Sequence, residues 1–477
     1  MVKSYANAEL GDARLTRRAS RILEKLARQP GVSLPAIMGT EADYQGACRF
    51  VNNGDLRFRA LLAPEFAATA QRAQEAGSVL VVHDTTEPSF PTLDPKEIGY
   101  LPTGKAGFLV HISLVLDAAA WRRPLGVIHA ETIHRPQRSK RKKGQRRATG
   151  NDTAGNPDRE FLRWVRGVEA SADALKACER VIHIMDREGD SYELMATILA
   201  LNNGFVIRQR VNRRAQAADR DNSLWSTVKE VVRGCQGMME REVPLSRRKA
   251  KGAPGMNRHA PRKMRLARLS FTATSVLIPR PQYLAEPWPE AIEVNVVHVI
   301  EKDPPPGETP VEWLLYTTEP IDRPSQVAKV VDTYRTRWTI EEFNAALKTG
   351  CAYEAREFKS RHALLNMLAL SLPIACMVLA LRSRARSDPT APATDELTPL
   401  QIRVLRHFAS RPVPARPTAQ QALFAVAGLG GHQKGNGPPG WKVLQRGMTT
   451  LLAYEDGWLA GEGAGRRGKN RRGEKKL

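Results

Sequence analysis

Five short apolar runs rich in β-branched residues do most to limit how this chain can fold. They cover residues 78–84, 108–117, 124–134, 180–186 and 205–210. Runs of this length, too short for a typical helix and dense in Val and Ile, read as buried strands. Residues 159–177 and 191–201 fall between the last three and carry helical periodicity. The order β-β-β-α-β-α-β predicts an α/β layout built on a mixed sheet.

The flanks read differently. Residues 11–28 place Leu15, Ala19, Ile22, Leu23 and Leu26 on one helical stripe, with Asp12 as the expected N-cap and Arg14, Arg17, Arg18 and Arg21 clustered beside it. Further helices are expected over 43–50 and 56–76, so 1–75 reads as a small, basic, helical unit. After the fifth strand, about 110 residues precede the next strong helix and hold strand-like runs at 269–278, 292–300 and 311–318. They predict a β-rich insertion over about 212–322 within a domain of 76–382. One long helix is expected over 325–348. The apolar run 364–381 is long enough to cross a membrane, but Asn366, Ser371 and Pro373 within it favour a buried helix. Residues 387–399 read as a linker, and 383–477 as a helical C-terminal unit ending in a basic tail.

Charge then narrows the partner. With 73 Lys+Arg against 50 Asp+Glu, the chain carries +23 at a sequence pI of 10.1, which points to a polyanion, nucleic acid before an anionic membrane. Residues 138–147 and 247–268 concentrate much of that charge. The five cysteines form no CxxC and have no neighbouring His, which excludes a zinc ribbon and argues against a disulfide framework. A reducing cytosol fits. The first residues, MVKSYA, lack the apolar core of a signal peptide, so a cytoplasmic location is expected.

Three carboxylates carry the candidate chemistry. Asp84, followed by Thr85-Thr86, and Asp186, in HIMDREGD, close two of the strand runs, where sheet proteins gather their sites. Taken singly, each reads first as a loop or cap residue. The third comes from YRTRWTIEEFNAALK (334–348). At 100° per residue, Tyr334, Arg337, Glu341 and Lys348 project within about 60° of one another, while Glu342 points about 100° away from Glu341. One aromatic, two cations and one acid do not make a core face; the stripe suits metal binding at the acid and phosphate contact by the other three, with a solvated, ion-paired face as the alternative. Read as a site, three carboxylates without His or Cys favour a hard ion such as Mg²⁺ or Mn²⁺. A pair of such ions suits in-line phosphoryl displacement.

The spacing Tyr334-x2-Arg337-x3-Glu341-x6-Lys348, with the two Asp motifs in order, resembles the Y-R-E-K branch of bacterial insertion-sequence DDE transposases, of the transposon-five type. LGDARLTRR (10–18), GETPVEWLL (307–315), RWTIEEFNAALKTG (337–350) and a weak LGG (429–431) extend the likeness over nearly the whole chain. The resemblance implies a ribonuclease-H-like catalytic core with a β-rich insertion. A helical N-terminal DNA-binding domain and a helical C-terminal dimerisation domain would flank it. It implies cut-and-paste transposition: nicking at the transposon end, hairpin formation and reopening, and strand transfer. Asp84, Asp186 and Glu341 would hold two Mg²⁺ ions, with Mn²⁺ able to substitute. Tyr334, Arg337 and Lys348 would hold the phosphate of a flipped nucleotide whose base stacks on Trp313. Arg208 and Arg210 would touch DNA near the site, and Arg18, with Arg14 beside it, the transposon end. The implied partners are double-stranded transposon ends, target DNA and a second copy of the chain in a paired-end homodimer, with no membrane, in a bacterial cytoplasm at the nucleoid. A stand-alone metal-dependent nuclease and a catalytically dead DNA-binding protein remain the alternatives.

Overall fold

The computed structural model describes Tyr5 and residues 8–119, 122–136, 159–218, 224–247, 261–284, 286–433, 435 and 437–473, with 462–473 as backbone only. Four helices come first: α1 (Ala13–Arg28), α2 (Leu34–Met38), α3 (Glu41–Val51) and α4 (Phe58–Ala76). Asp12 caps α1, accepting from the Arg14 amide at 2.7 Å, and the stripe Ala19, Ile22, Leu23 and Leu26 is buried as its spacing requires. The α1 helix packs on α2, α3 and two helices from the far end of the chain.

All five apolar runs form strands. They are β1 (Ser78–Thr86), β2 (Leu109–Asp117), β3 (Pro124–Ile133), β4 (Arg180–Met185) and β5 (Gly204–Arg208). The short α5 (Pro95–Ile98), α6 (Leu162–Ala174) and α7 (Tyr192–Ala200) lie between them. Strands β1, β4 and β5 run parallel; β2 pairs antiparallel with β1, and β3 antiparallel with β2.

Through its strands the insertion extends this same sheet. It contains β6 (Arg214–Ala217), β7 (Ser226–Thr227), α8 (Val228–Arg233), β8 (Met239–Leu245), β9 (Arg265–Pro279), β10 (Ala291–Lys302) and β11 (Glu312–Thr317). The eleven-stranded sheet runs β3-β2-β1-β4-β5-β11-β10-β9-β6-β7, with β8 also on β9. Strand β11 pairs antiparallel with β5, Leu315 opposite Arg208, and so covers what would otherwise be an open edge.

The expected helix over 325–348 is divided into α9 (Pro324–Arg335), α10 (Trp338–Ala345) and a π-helical turn, Ala346–Gly350. The apolar run lies in α11 (Arg361–Ser387), long and apolar enough to cross a membrane but with 83% of that stretch buried. It packs on α4 and β3. After it come α12 (Pro399–Phe408), α13 (Ala419–Leu429) and α14 (Trp441–Gly473).

Residues 387–399 are not a free linker. Ala391, Ala393 and Leu397 are buried, and Arg384 of α11 pairs with Asp395 at 2.6 Å. Leu381 and Ala385 join the same C-terminal cluster, so α11 serves two cores. The basic tail continues α14 as helical backbone to Gly473. The basic loop 138–147 and most of the second basic stretch, 248–260, lie outside the described residues.

Candidate active site

Register sets two of the carboxylates level. Strands β1 and β4 are parallel neighbours with Val82 opposite Ile184, so continuing that offset brings Asp84 opposite Asp186. Asp84 lies inside β1, two residues before its end, while Asp186 begins the loop after β4. There the Asp186 carboxylate accepts from the Glu188 amide at 2.8 Å and caps a short 3₁₀ turn. Arg163 of α6 ties the two motifs together, donating to Thr85 Oγ1 and Glu188 at 2.9 Å each.

Glu341 arrives from α10, which packs across β1. One turn further on, Asn344 donates its amide to Asp84 Oδ2 at 3.1 Å. Burial pushes the Asp84 carboxyl up to about 7; Asp186 and Glu341 add to the rise, and Arg337 opposes it. Asp186 and Glu341 therefore both bear on Asp84. Glu341 is itself hydrogen-bonded by Arg337. Among the described residues no three His, Cys, Asp or Glu side chains gather at metal-binding distance. The donor set nevertheless fits a hard divalent cation: all the ligands are oxygens, and their mutual repulsion is what such a charge relieves.

A straight wheel does not describe the tetrad. Between α9 and α10 the amides of Thr336, Arg337, Thr339 and Ile340 bond three residues back, which overwinds the chain. Tyr334, Arg337 and Glu341 stay together through that turn, with Tyr334 and Glu341 both acting on Arg337. Lys348 leaves them. The Cys351 amide bonds to the Ala346 carbonyl, five residues back, and this π turn swings Lys348 onto the loop after β1. Its Nζ donates to the Glu87 carbonyl at 2.9 Å and stands 3.6 Å from Glu354.

The aromatic candidate sits beside Tyr334. The Trp313 ring centre is 5.6 Å from that of Tyr334, in an edge contact, and the Arg208 guanidinium lies 5.6 Å over the Trp313 ring. Trp313 is half-buried and Tyr334 is buried. Arg210 is exposed, and its amide, like that of Val211, is held by Asp190 Oδ2. Asp190 is thus a structural acid that anchors the insertion to the Asp186 loop. Arg14 and Arg18 are not brought near the carboxylates, since α1 packs away from this rim. Arg14 is 84% exposed beside Asp12, and Arg18 lies flat on Gly46, where any Cβ would clash with its guanidinium.

Sequence reasoning passed over three neighbours. Asn344 follows Glu341 by three residues on one face, a spacing that could have drawn notice. Trp338, between Arg337 and Glu341 in the sequence, is 53% exposed, an indole left in solvent. Glu354 accepts from the Ser89 amide at 3.0 Å, and no local pattern announces that contact. Glu342 faces the other way, buried against Arg386 and Arg382 of α11.

With this geometry in hand, two family models match the chain. One, described as transposase DNA-binding, matches residues 2–56. The other, described as a transposase DDE domain, matches residues 152–378, a span that holds Asp186, Trp313, Tyr334, Arg337, Glu341 and Lys348 and leaves Asp84 upstream.

Proposed function

This chain is a DDE transposase, a metal-dependent enzyme that cleaves DNA and transfers strands, and we propose that it works by cut-and-paste transposition on a ribonuclease-H-like core. The observation that carries the reading is the register of the parallel pair β1 and β4, which sets Asp84 level with Asp186 just past the end of β4, with Glu341 of α10 acting on Asp84. These three hold the divalent cations, Mg²⁺ or Mn²⁺, two to a site. When bound, such ions activate the attacking oxygen and relieve charge on the leaving one.

The chain's own groups do the rest. Arg337 exchanges Glu341 for a backbone phosphate when DNA arrives. Lys348, set on the loop that follows Asp84, takes a second contact, and Tyr334 orients both Arg208 and Arg337. The half-buried face of Trp313 receives a base displaced from the duplex, since stacking on an indole offsets the loss of pairing. Arg208 and Arg210 track the strand. The helices of 1–75, with Arg14 and Arg18, engage the transposon end by neutralising phosphates.

Pairing of two ends requires two copies. Phe408, Tyr454 and Leu459 on α12 and α14 are exposed large apolar side chains, and Phe408 stacks on Tyr454 at 4.4 Å. This face supports a homodimer made by the C-terminal helices. A bacterial cytoplasm, at the nucleoid, is where such a protein would meet its DNA.

A labelled transposon end on a denaturing gel tests the reading. Asp84→Ala, Asp186→Ala and Glu341→Ala should each abolish Mg²⁺-dependent nicking and retain end binding. Trp313→Ala should slow hairpin formation about ten- to a hundredfold more than the first nick, the worth of one stacked base. Equal slowing of both steps would return Trp313 to a packing role. Absence of any hairpin from the unmutated protein would favour a plain nuclease.

A further inference from the structure

We infer that Asn344 is a positioning residue of the cation site: its amide nitrogen fixes the Asp84 carboxylate, and its amide oxygen is the acceptor for water held around the cation. The inference rests on the three-carboxylate reading above.

The orientation of the amide follows from its partner. An ionised carboxylate only accepts, so the Asn344 NH₂ must face Asp84 Oδ2, at 3.1 Å. That turns Oδ1 away from Asp84. Oδ1 is shut off from solvent and has no hydrogen-bond donor among the described residues. A buried acceptor left without a donor is costly, and such groups recur where a ligand or water completes them.

The donor that a regular helix would provide has been taken elsewhere. Lys348 is four residues on, the spacing at which helical side chains meet. The π turn at Ala346–Gly350 carries its ammonium to the Glu87 carbonyl and Glu354. With Lys348 engaged at Glu87 and Glu354, Asn344 Oδ1 is left open, on a residue one turn beyond Glu341 whose Nδ2 contacts Asp84. A neutral acceptor suits this position, because a fourth carboxylate would add to the repulsion already acting on Asp84. Hydrated Mg²⁺ keeps several of its waters, which can only donate to the protein. Partners of this outer kind orient the ligands and set affinity.

The test is Mn²⁺ binding to the full-length chain without DNA, followed by the loss of the free-ion signal in electron paramagnetic resonance. Asn344→Ala should weaken Mn²⁺ binding about 10- to 100-fold, as loss of an outer-shell partner does. Its metal-free melting temperature should move by less than about 2 °C, because no packing group of weight is lost. Binding of the transposon end in EDTA should be unchanged. Asn344→Ser, whose hydroxyl is too short to reach Asp84, should behave alike and decides the matter if the alanine variant fails to fold. Asp84→Ala is the control. Wild-type Mn²⁺ affinity in a folded Asn344 variant, with Asp84→Ala impaired, overturns the role of Asn344. Wild-type affinity in Asp84→Ala as well overturns the carboxylate reading beneath it.

Discussion

Glu341 and Glu342 are adjacent and chemically identical, and the structure predicts opposite consequences for losing them. Glu342 is 9% exposed, bonded to Arg386 and 3.9 Å from Arg382, and so joins α10 to α11. A hydrogen bond to a charged group contributes about 1.5–3 kcal/mol when its partners are buried. Here Arg386 is 64% exposed and recovers water once the acid is gone, while Arg382 keeps the Pro439 carbonyl and its place 4.5 Å over the Trp441 ring. Discounted for that screening, Glu342→Ala should cost about 1–2 kcal/mol. In a chain of this size that lowers the melting temperature by about 1–3 °C. Nicking well below that temperature should stay within about twofold of the unmutated rate, since Glu342 touches no acid of the site. Glu341→Ala should do the reverse. Arg337 loses its partner but Asp84 loses a repelling neighbour, so melting should barely move while nicking disappears. Thermal unfolding and the nicking gel, run on the same preparations, read both quantities. A nicking-dead Glu342→Ala that melts like the unmutated protein would mean that the wrong face of α10 has been assigned to the site.

Other consequences follow from burial and contact. Asp84 sits at about 7, above its ordinary 3.8, so the stability it supports is full below pH 3.8 and is lost as pH rises through about 7. Metal-free Asp84→Asn should therefore show a shallower fall in melting temperature from pH 6 to pH 8 than the unmutated chain, and parallel curves would refute this. Burial holds His183 down at about 3 and His129 at about 4, below the usual 6.5. Their contribution is intact above pH 6.5 and lost as pH falls toward those values, so melting measured from pH 7 to pH 4.5 should decline; a flat profile would contradict it. Arg356 is buried and donates to the carbonyls of Pro30, Val32 and Cys351, joining the N-terminal helices to the loop after the π turn. Arg356→Lys offers one nitrogen in place of that fork and should cost about 2–3 kcal/mol by equilibrium chemical denaturation. No shift in the denaturation midpoint would remove the clamp.

The sequence by itself determined the features that depend on local geometry. The five apolar runs became strands because β-branched residues of that length have few other ways to be buried. Asp84 and Asp186 reached one rim because each follows an apolar run in a parallel pair. Tyr334, Arg337 and Glu341 kept company because residues three and four apart on a helix are neighbours whatever surrounds them. Tertiary structure decided what depends on partners distant in the chain. Nothing within 212–322 says that β11 pairs with β5, about a hundred residues earlier. Strand β8, MEREVPL, escaped notice because its alternating charges suit an edge and offer no apolar run. The segment 387–399 has the composition of a linker, yet its alanines are buried by α11 and α13, whose approach no local pattern encodes. Lys348 shows the division most sharply. Its place on the stripe follows from a 3.6-residue period, and a single π turn, stabilised by contacts with Glu87 and Glu354, removed it to another wall of the site. A helical period is fixed by covalent geometry and repeats without information from afar. The winding of one turn within a packed helix costs so little that the surrounding structure sets it.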